Sequence, residues 1–132
     1  MATLWHSRAQ QLLALRERAE MGGGARRMEK QKAAGKLGAR ERLELLFDAG
    51  TFVEVGELVE ARINDFGMDA RRVPGDGVVT GFGKIGGMTA CASSEDFTVI
   101  GGTLGEYHSK KICHIMDLSL IHISEPTRLG MI

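Results

Sequence analysis

Apolar positions in the first fifty residues recur with a helical period, and those that follow do not. Leu4/Trp5, Ala9, Leu12/Leu13, Leu15 and Ala19 are spaced for one helix, with Arg and Glu on its other face. The run Gly22–Gly24 ends it, because consecutive glycines lose too much backbone entropy to stay helical. A second, polar helix is predicted over 25–34, stopping at Gly35. A third, in "GARERLELLFDAG", is expected to bury Leu43, Leu46 and Phe47, with Gly50 as the left-handed residue just past its end. Glu41 lies three residues after Gly38 and completes half a capping box.

Beyond Gly50 the texture changes. "TFVEVGELVE" and "GDGVVTGFGKIGGMTACASS" are rich in Val, Thr and Gly and predict strands. Between them "INDFGMDARRVPGDG" holds Pro74 and three glycines and reads as a loop. "DFTVIGG" predicts a short buried strand stopped by two glycines. "TLGEYHSKKICHIMD" returns to the helical period, placing Leu104, His108, Ile112 and Ile115/Met116 on one face. Helical arm, antiparallel hairpin, strand and helix, in that order, are the opening of an α/β layered domain.

Charge alters this picture only locally. The chain of 132 residues is neutral, yet ten of its seventeen Lys and Arg fall in residues 1–44 beside five acids. Such an asymmetry fits a solvated arm, an arm docked on an acidic partner, or a nucleic-acid-binding module. The aromatics argue against the last: Phe52, Phe66, Phe82, Phe97 and Tyr107 lie in the strand region, away from the basic arm. Cys91 and Cys113 are far apart and form no CxxC pair, so a reducing, cytoplasmic setting is expected, without disulfide or zinc. The amino-terminal helix carries charges within its apolar stretch and reads neither as a signal peptide nor as a membrane span.

Three motifs bear on chemistry. "GFGKIG", Gly81–Gly86, satisfies GxGxxG, but a dinucleotide fingerprint must open a helix, and here strand-like "GMTACASS" follows. A hairpin turn at Gly86–Gly87 is the expectation. His108, Cys113 and His114 could tempt a metal reading, yet the adjacent pair would point about 100° apart on a helix and no second cluster exists. His108 is expected to pack in the helix face or cap its edge. "VIGGTLGEYHSKK" is the best local signal. Thr103 and Glu106 make a capping box, and Gly101 and Gly102 just before it would let an anionic ligand approach the backbone and the helix N-terminus. A tight strand-to-helix turn whose glycines serve only close packing explains the same residues equally well.

The segments "KLGARERLELLFDAGTFVE", "PGDGVVTGFG", "DFTVIGGTLGE" and "KKICHIMDL", in this order and spacing, resemble the carboxyltransferase subunits of biotin-dependent acyl-CoA carboxylases. The propionyl-CoA and methylmalonyl-CoA carboxyltransferases, and the decarboxylases built on the same subunit, are similar members. The likeness covers roughly 22–117 and only the start of the family's N-terminal domain. Gly38 stands where members usually place Thr, and "SSEDFTVIGG" departs from the commoner Gln-Asp-Phe wording.

The resemblance implies an α/β fold, an incomplete crotonase-like β/α superhelix preceded by a helical arm over 1–50, with the carboxyltransferase domain starting over 51–117. It implies transfer of a carboxyl group between biotin, carried on a separate domain or subunit, and the alpha carbon of an acyl-CoA such as propionyl-CoA. The alternative within the family is an alpha subunit of a methylmalonyl-CoA or glutaconyl-CoA decarboxylase. Backbone N–H groups would stabilise the enolate oxygen, from segments beyond those present, so no catalytic residue is assigned and the chain alone is expected to be inactive. Gly101, Gly102 and Thr103 would lie near bound CoA. Biotin carboxyl carrier and biotin carboxylase subunits, and further copies of the parent, are the implied partners. Residues 118–132 are expected to be a non-native tail: "LSLIHISEPTR" departs from the family and back-translates into a sequencing adapter read in frame.

Overall fold

The computed structural model of the chain describes residues 2–62, 65–102 and 104–124. Helix α1 spans Ala2–Met21, α2 Ala25–Ala33 and α3 Ala39–Leu46, so the three predicted helices are present. Gly22 and Gly24 both adopt positive φ (52° and 101°), which ends α1 and turns the chain into α2. α1 buries little; among its described side chains Ala19 is buried, while Leu4, Trp5 and Leu13 are more than half exposed.

Helix α3 begins at Gly38, whose N–H donates to Glu41 Oε2 at 3.2 Å. The return half of the capping box is missing because glycine has no side chain to accept from the third helical residue. Its buried face is Ala39, Leu43 and, one residue past its end, Phe47. Leu46, expected there as well, is exposed. The helix stops at Leu46 and Phe47 turns extended, so Leu46 no longer faces the sheet. Gly50 is left-handed (φ 72°), but in the turn that Thr51 closes by donating to Asp48 O, not directly after the helix.

Strands β1 (Val53–Val55), β2 (Val78–Ile85) and β3 (Met88–Glu95) form one antiparallel sheet in the order β1-β2-β3. The pairing Val78↔Glu95 through Ile85↔Met88 leaves Gly86 and Gly87 as a two-residue turn, both at positive φ. The GxGxxG pattern is therefore a hairpin. Asp48 locks the turn from outside, its two carboxylate oxygens accepting the N–H groups of Gly86 and Gly87 at 3.0 and 2.9 Å.

The period-two alternation of β2 divides the core. Val79 points toward α3 and joins Ala39, Leu43 and Phe47, with Phe52, Ala90 and Ala92 packed around them. Burying such side chains stabilises the fold by about 1.5–3 kcal/mol each. Gly81 and Gly83 follow on this face, and a Cβ on either would strike the Phe52 or Phe47 ring. Val78 and Thr80 point the other way and are fully buried. Thr80 Oγ1 donates to Val55 O at 2.8 Å.

Residues 96–102 correct an expectation. "DFTVIGG" is not a strand. Asp96 Oδ1 accepts from both the N–H and the hydroxyl of Thr98, and Val99 N donates to Asp96 O, which folds the segment into turns ending in a left-handed turn, Ile100–Gly102. A side-chain acceptor two residues back outcompeted the strand ladder. Val99 is buried as expected. Helix α4 runs Glu106–Ser119 with Gly105 as N-cap, two residues after the predicted cap at Thr103, which lies outside the described residues. A π-helical turn, Leu120–Ser124, continues it where the sequence pattern predicted a break after Asp117.

Candidate functional site

The face of α4 turned inward is His108, Lys111 and Ile115. Leu104 and Met116, predicted to share it, are exposed, and Ile112 is half-buried. A lysine was thus taken into the core in preference to neighbouring apolar residues. The reason lies in the turn below. In Pro74–Gly77, Gly75, Asp76 and Gly77 are all left-handed (φ 93°, 48° and 71°), which turns backbone carbonyls toward the helix. Lys111 Nζ donates to Gly75 O at 2.7 Å and to Val78 O. Burial pushes the Lys111 amine down to about 8, against the opposing pull of the Glu54 and Asp76 carboxylates.

His108 is fully buried, and its Nδ1 lies 2.9 Å from Asp76 O. A carbonyl only accepts, so Nδ1 carries the proton. Nε2 has no hydrogen-bond partner, with Glu95 Oε1 3.9 Å away. Asp76 Oδ2 is likewise buried without a partner among the described residues. Burial raises the Asp76 carboxyl, and His108 and Lys111 oppose that rise. A Cβ on Gly105 would stand 3.7 Å from Asp76 Oδ2, so this carboxyl sits beside the first turn of α4, where the helix dipole favours negative charge.

Above this cluster is the glycine turn predicted from sequence. Ile100, Gly101 and Gly102 are all left-handed (φ 45°, 65° and 73°). Gly101 opens to free space: a Cβ there would meet nothing within 4 Å. Gly102 packs against the Phe97 ring at a distance no side chain could share, and its N–H is committed to Val99 O. Thr103 lies outside the described residues. The turn therefore has an open position at 101 and close packing at 102.

His108 is separated from Cys113 and His114, which are exposed on the opposite side of α4. Among the described residues no group of three or more His, Cys, Asp or Glu is placed to hold a metal ion. Among them, too, no helix is long and apolar enough to cross a membrane. Sequence reasoning passed over Asp76 and took Lys111, with Lys110, only as spare positive charge two turns beyond the glycine turn, where the structure buries Lys111. The available signal was an aspartate between two glycines, and a lysine three residues after His108 and four before Ile115.

The family model for the carboxyl transferase domain matches residues 30–127. This chain belongs to the carboxyl transferase family. It is 52% identical over 110 residues to the methylmalonyl-CoA decarboxylase subunit alpha of Propionigenium modestum, covering 83% of this chain and 21% of that protein. It is 54% identical over 102 residues to the propionyl-CoA carboxylase beta chain of Cereibacter sphaeroides, covering 77% and 20%. Among solved structures it superposes on transcarboxylase 12S, crystallised with methylmalonyl-CoA, with a TM-score of 0.83 at 48% identity, covering 88% of this chain and 23% of that one. The chain thus spans about a fifth of the length of these relatives, and its elements are part of their crotonase-like α/β fold.

Proposed function

We propose that this chain is the front part of an acyl-CoA carboxyltransferase subunit, which moves a carboxyl group between biotin on a partner and the alpha carbon of an acyl-CoA. The carboxyl transferase match over 30–127 carries this reading. In it, residues 1–50 form the helical arm and the carboxyltransferase domain starts at residue 51. The turn Gly101–Gly102–Thr103 lets an acyl-CoA approach the backbone, supported by the open side of Gly101. Biotin carboxyl carrier and biotin carboxylase subunits are the partners, the subunit associates with copies of itself, and the setting is the cytoplasm. No residue present is given a catalytic role; the Asp76–His108–Lys111 cluster holds the PGDG turn against α4 and so fixes the floor beneath the glycine turn.

A decarboxylase subunit is the second reading, favoured by the 52% identity to the Propionigenium modestum protein. Both are tested on the complete subunit. With propionyl-CoA and a carboxylated biotin donor, formation of methylmalonyl-CoA supports carboxyl transfer. With methylmalonyl-CoA and free biotin, carboxybiotin formation is expected in either direction of use, and coupling to a decarboxylating partner subunit separates the two. A complete subunit that catalyses neither half-reaction overturns the assignment.

A further inference from the structure

Between the arm and the body lies an open groove of about 630 Å³ whose lining includes Arg18, Arg26, Arg27, Arg71 and Arg72. It lies between the Gly22–Gly24 loop with the start of α2 on one side and the end of the 3-10 segment Asp65–Arg71 on the other. Among the described residues no Asp or Glu lines it. Two of the arginines help to build the walls: Arg18 donates to Arg72 O at 3.2 Å and Arg27 to Thr98 O at 3.1 Å. Arg26 and Arg71, which line the groove from separate elements, have neither an ion pair nor a hydrogen bond among the described residues.

Arg26 and Arg71, with no carboxylate among the described lining residues, raise a positive potential in a concave space, where low-dielectric walls focus it. The compensation is an anion, and the planar, multidentate guanidinium suits phosphate oxygens best. The volume is that of a small-molecule site. Ile100 forms part of the wall, so the groove reaches to within one residue of Gly101. The start of α4, one of two readings of which was an anion site, has the Asp76 carboxyl beside it.

We propose that this arginine-lined groove binds clustered phosphate groups, as in a diphosphate, of a nucleotide-type ligand. Resting on the acyl-CoA reading above, it takes the phosphate-bearing end of the coenzyme while the thioester end passes the glycine turn. A free nucleotide supplies the same chemistry, and the two sources are separable.

The test is calorimetric titration of the full 132-residue chain with inorganic pyrophosphate, ADP, CoA and pantetheine, at two salt concentrations. Pyrophosphate is expected to bind, more weakly at high salt, and CoA to compete with it, whereas pantetheine, which has no phosphate, does not. ADP binding as tightly as CoA assigns the site to free nucleotides; a clear preference for CoA assigns it to the substrate. Arg26→Gln and Arg71→Gln are each expected to weaken pyrophosphate about tenfold, and Arg71→Lys to weaken it less. Both side chains are exposed and make no bond the fold depends on, and unchanged circular dichroism verifies this. Unaltered pyrophosphate affinity in both Gln variants, or duplex DNA displacing pyrophosphate in wild type but not in Arg71→Gln, overturns the proposal. CoA binding that ignores the arginines overturns it while leaving the acyl-CoA reading intact. Arginine-dependent pyrophosphate binding without CoA binding does the reverse.

Discussion

The backbone N–H of Gly23 donates to Oγ1 of Thr98 at 2.9 Å, joining residues 75 apart in sequence. Asp96 Oδ1 holds that hydroxyl in place at 2.6 Å, and Arg27 donates to the Thr98 carbonyl. The glycine loop read as a helix terminator is therefore also a joint at which the turn between α1 and α2 meets the body. A Cβ at Gly23 would overlap the Thr98 carbonyl, which is backbone and cannot swing aside. Gly23→Ala is expected to lower stability by about 1–3 kcal/mol and to expose the 21–25 loop. Thermal melts and limited proteolysis report both, and an unchanged cleavage pattern would show that the joint does not hold the arm.

Lys111 links stability to pH in an unusual direction. Its amine titrates at about 8 when folded and at its usual 10.5 when unfolded. Below 8 both states are charged and the buried ammonium costs on the order of 3 kcal/mol. Between 8 and 10.5 the unfolded state holds the extra proton, so this group makes stability rise with pH. The neutral amine keeps two N–H groups for Gly75 O and Val78 O. The melting temperature of wild type, measured relative to Lys111→Met, is expected to climb across that window; a constant difference contradicts it.

Asp48 behaves in the opposite sense. The N–H groups of Gly87 and Gly86 hold its carboxyl below 3.8. Its stabilising contribution is present above the usual value and is lost as pH falls through the lowered one. Carboxyl ¹³C titration by NMR should place Asp48 below an ordinary aspartate. In Asp48→Asn, amide exchange at Gly86 and Gly87 should quicken, whereas equal exchange would mean the turn holds itself.

Gly38 offers a stabilising change. Its backbone (φ −68°, ψ 162°) is extended and open to any residue, and a Cβ there would meet only the Glu41 carboxylate, at 3.9 Å. Gly38→Thr adds the missing half of the capping box and restricts the unfolded chain, worth together about 0.5–1 kcal/mol. Denaturant midpoints measure it. A loss of stability would show that the threonine side chain is not accepted at this cap.

The arm, the hairpin and its Gly86–Gly87 turn were legible because each rests on local rules: helical period, glycine as breaker, and turn dipeptide. Residues 96–102 were misread because Val99 and Ile100 carry β propensity while the decisive interaction, Asp96 with Thr98, is a polar contact that periodicity ignores. Helix α4 was found, but its face was rotated. Apolar pattern favoured Leu104 and Met116, and only the carbonyls of the PGDG turn, brought from some 35 residues upstream, make Lys111 an interior residue. The arginine groove was invisible for the same reason, since Arg26 and Arg71 line it from separate elements.

Helix α1 extends about 30 Å from that joint, carrying exposed Leu4, Trp5 and Leu13 toward its far end. A swing of about 10° at Gly22–Gly24 would displace the tip by about 5 Å over such a length. The short contacts at Asp96 and Thr98 consequently govern position at a distance: an error too small to matter at the hinge becomes larger than an atom where the leucines are presented.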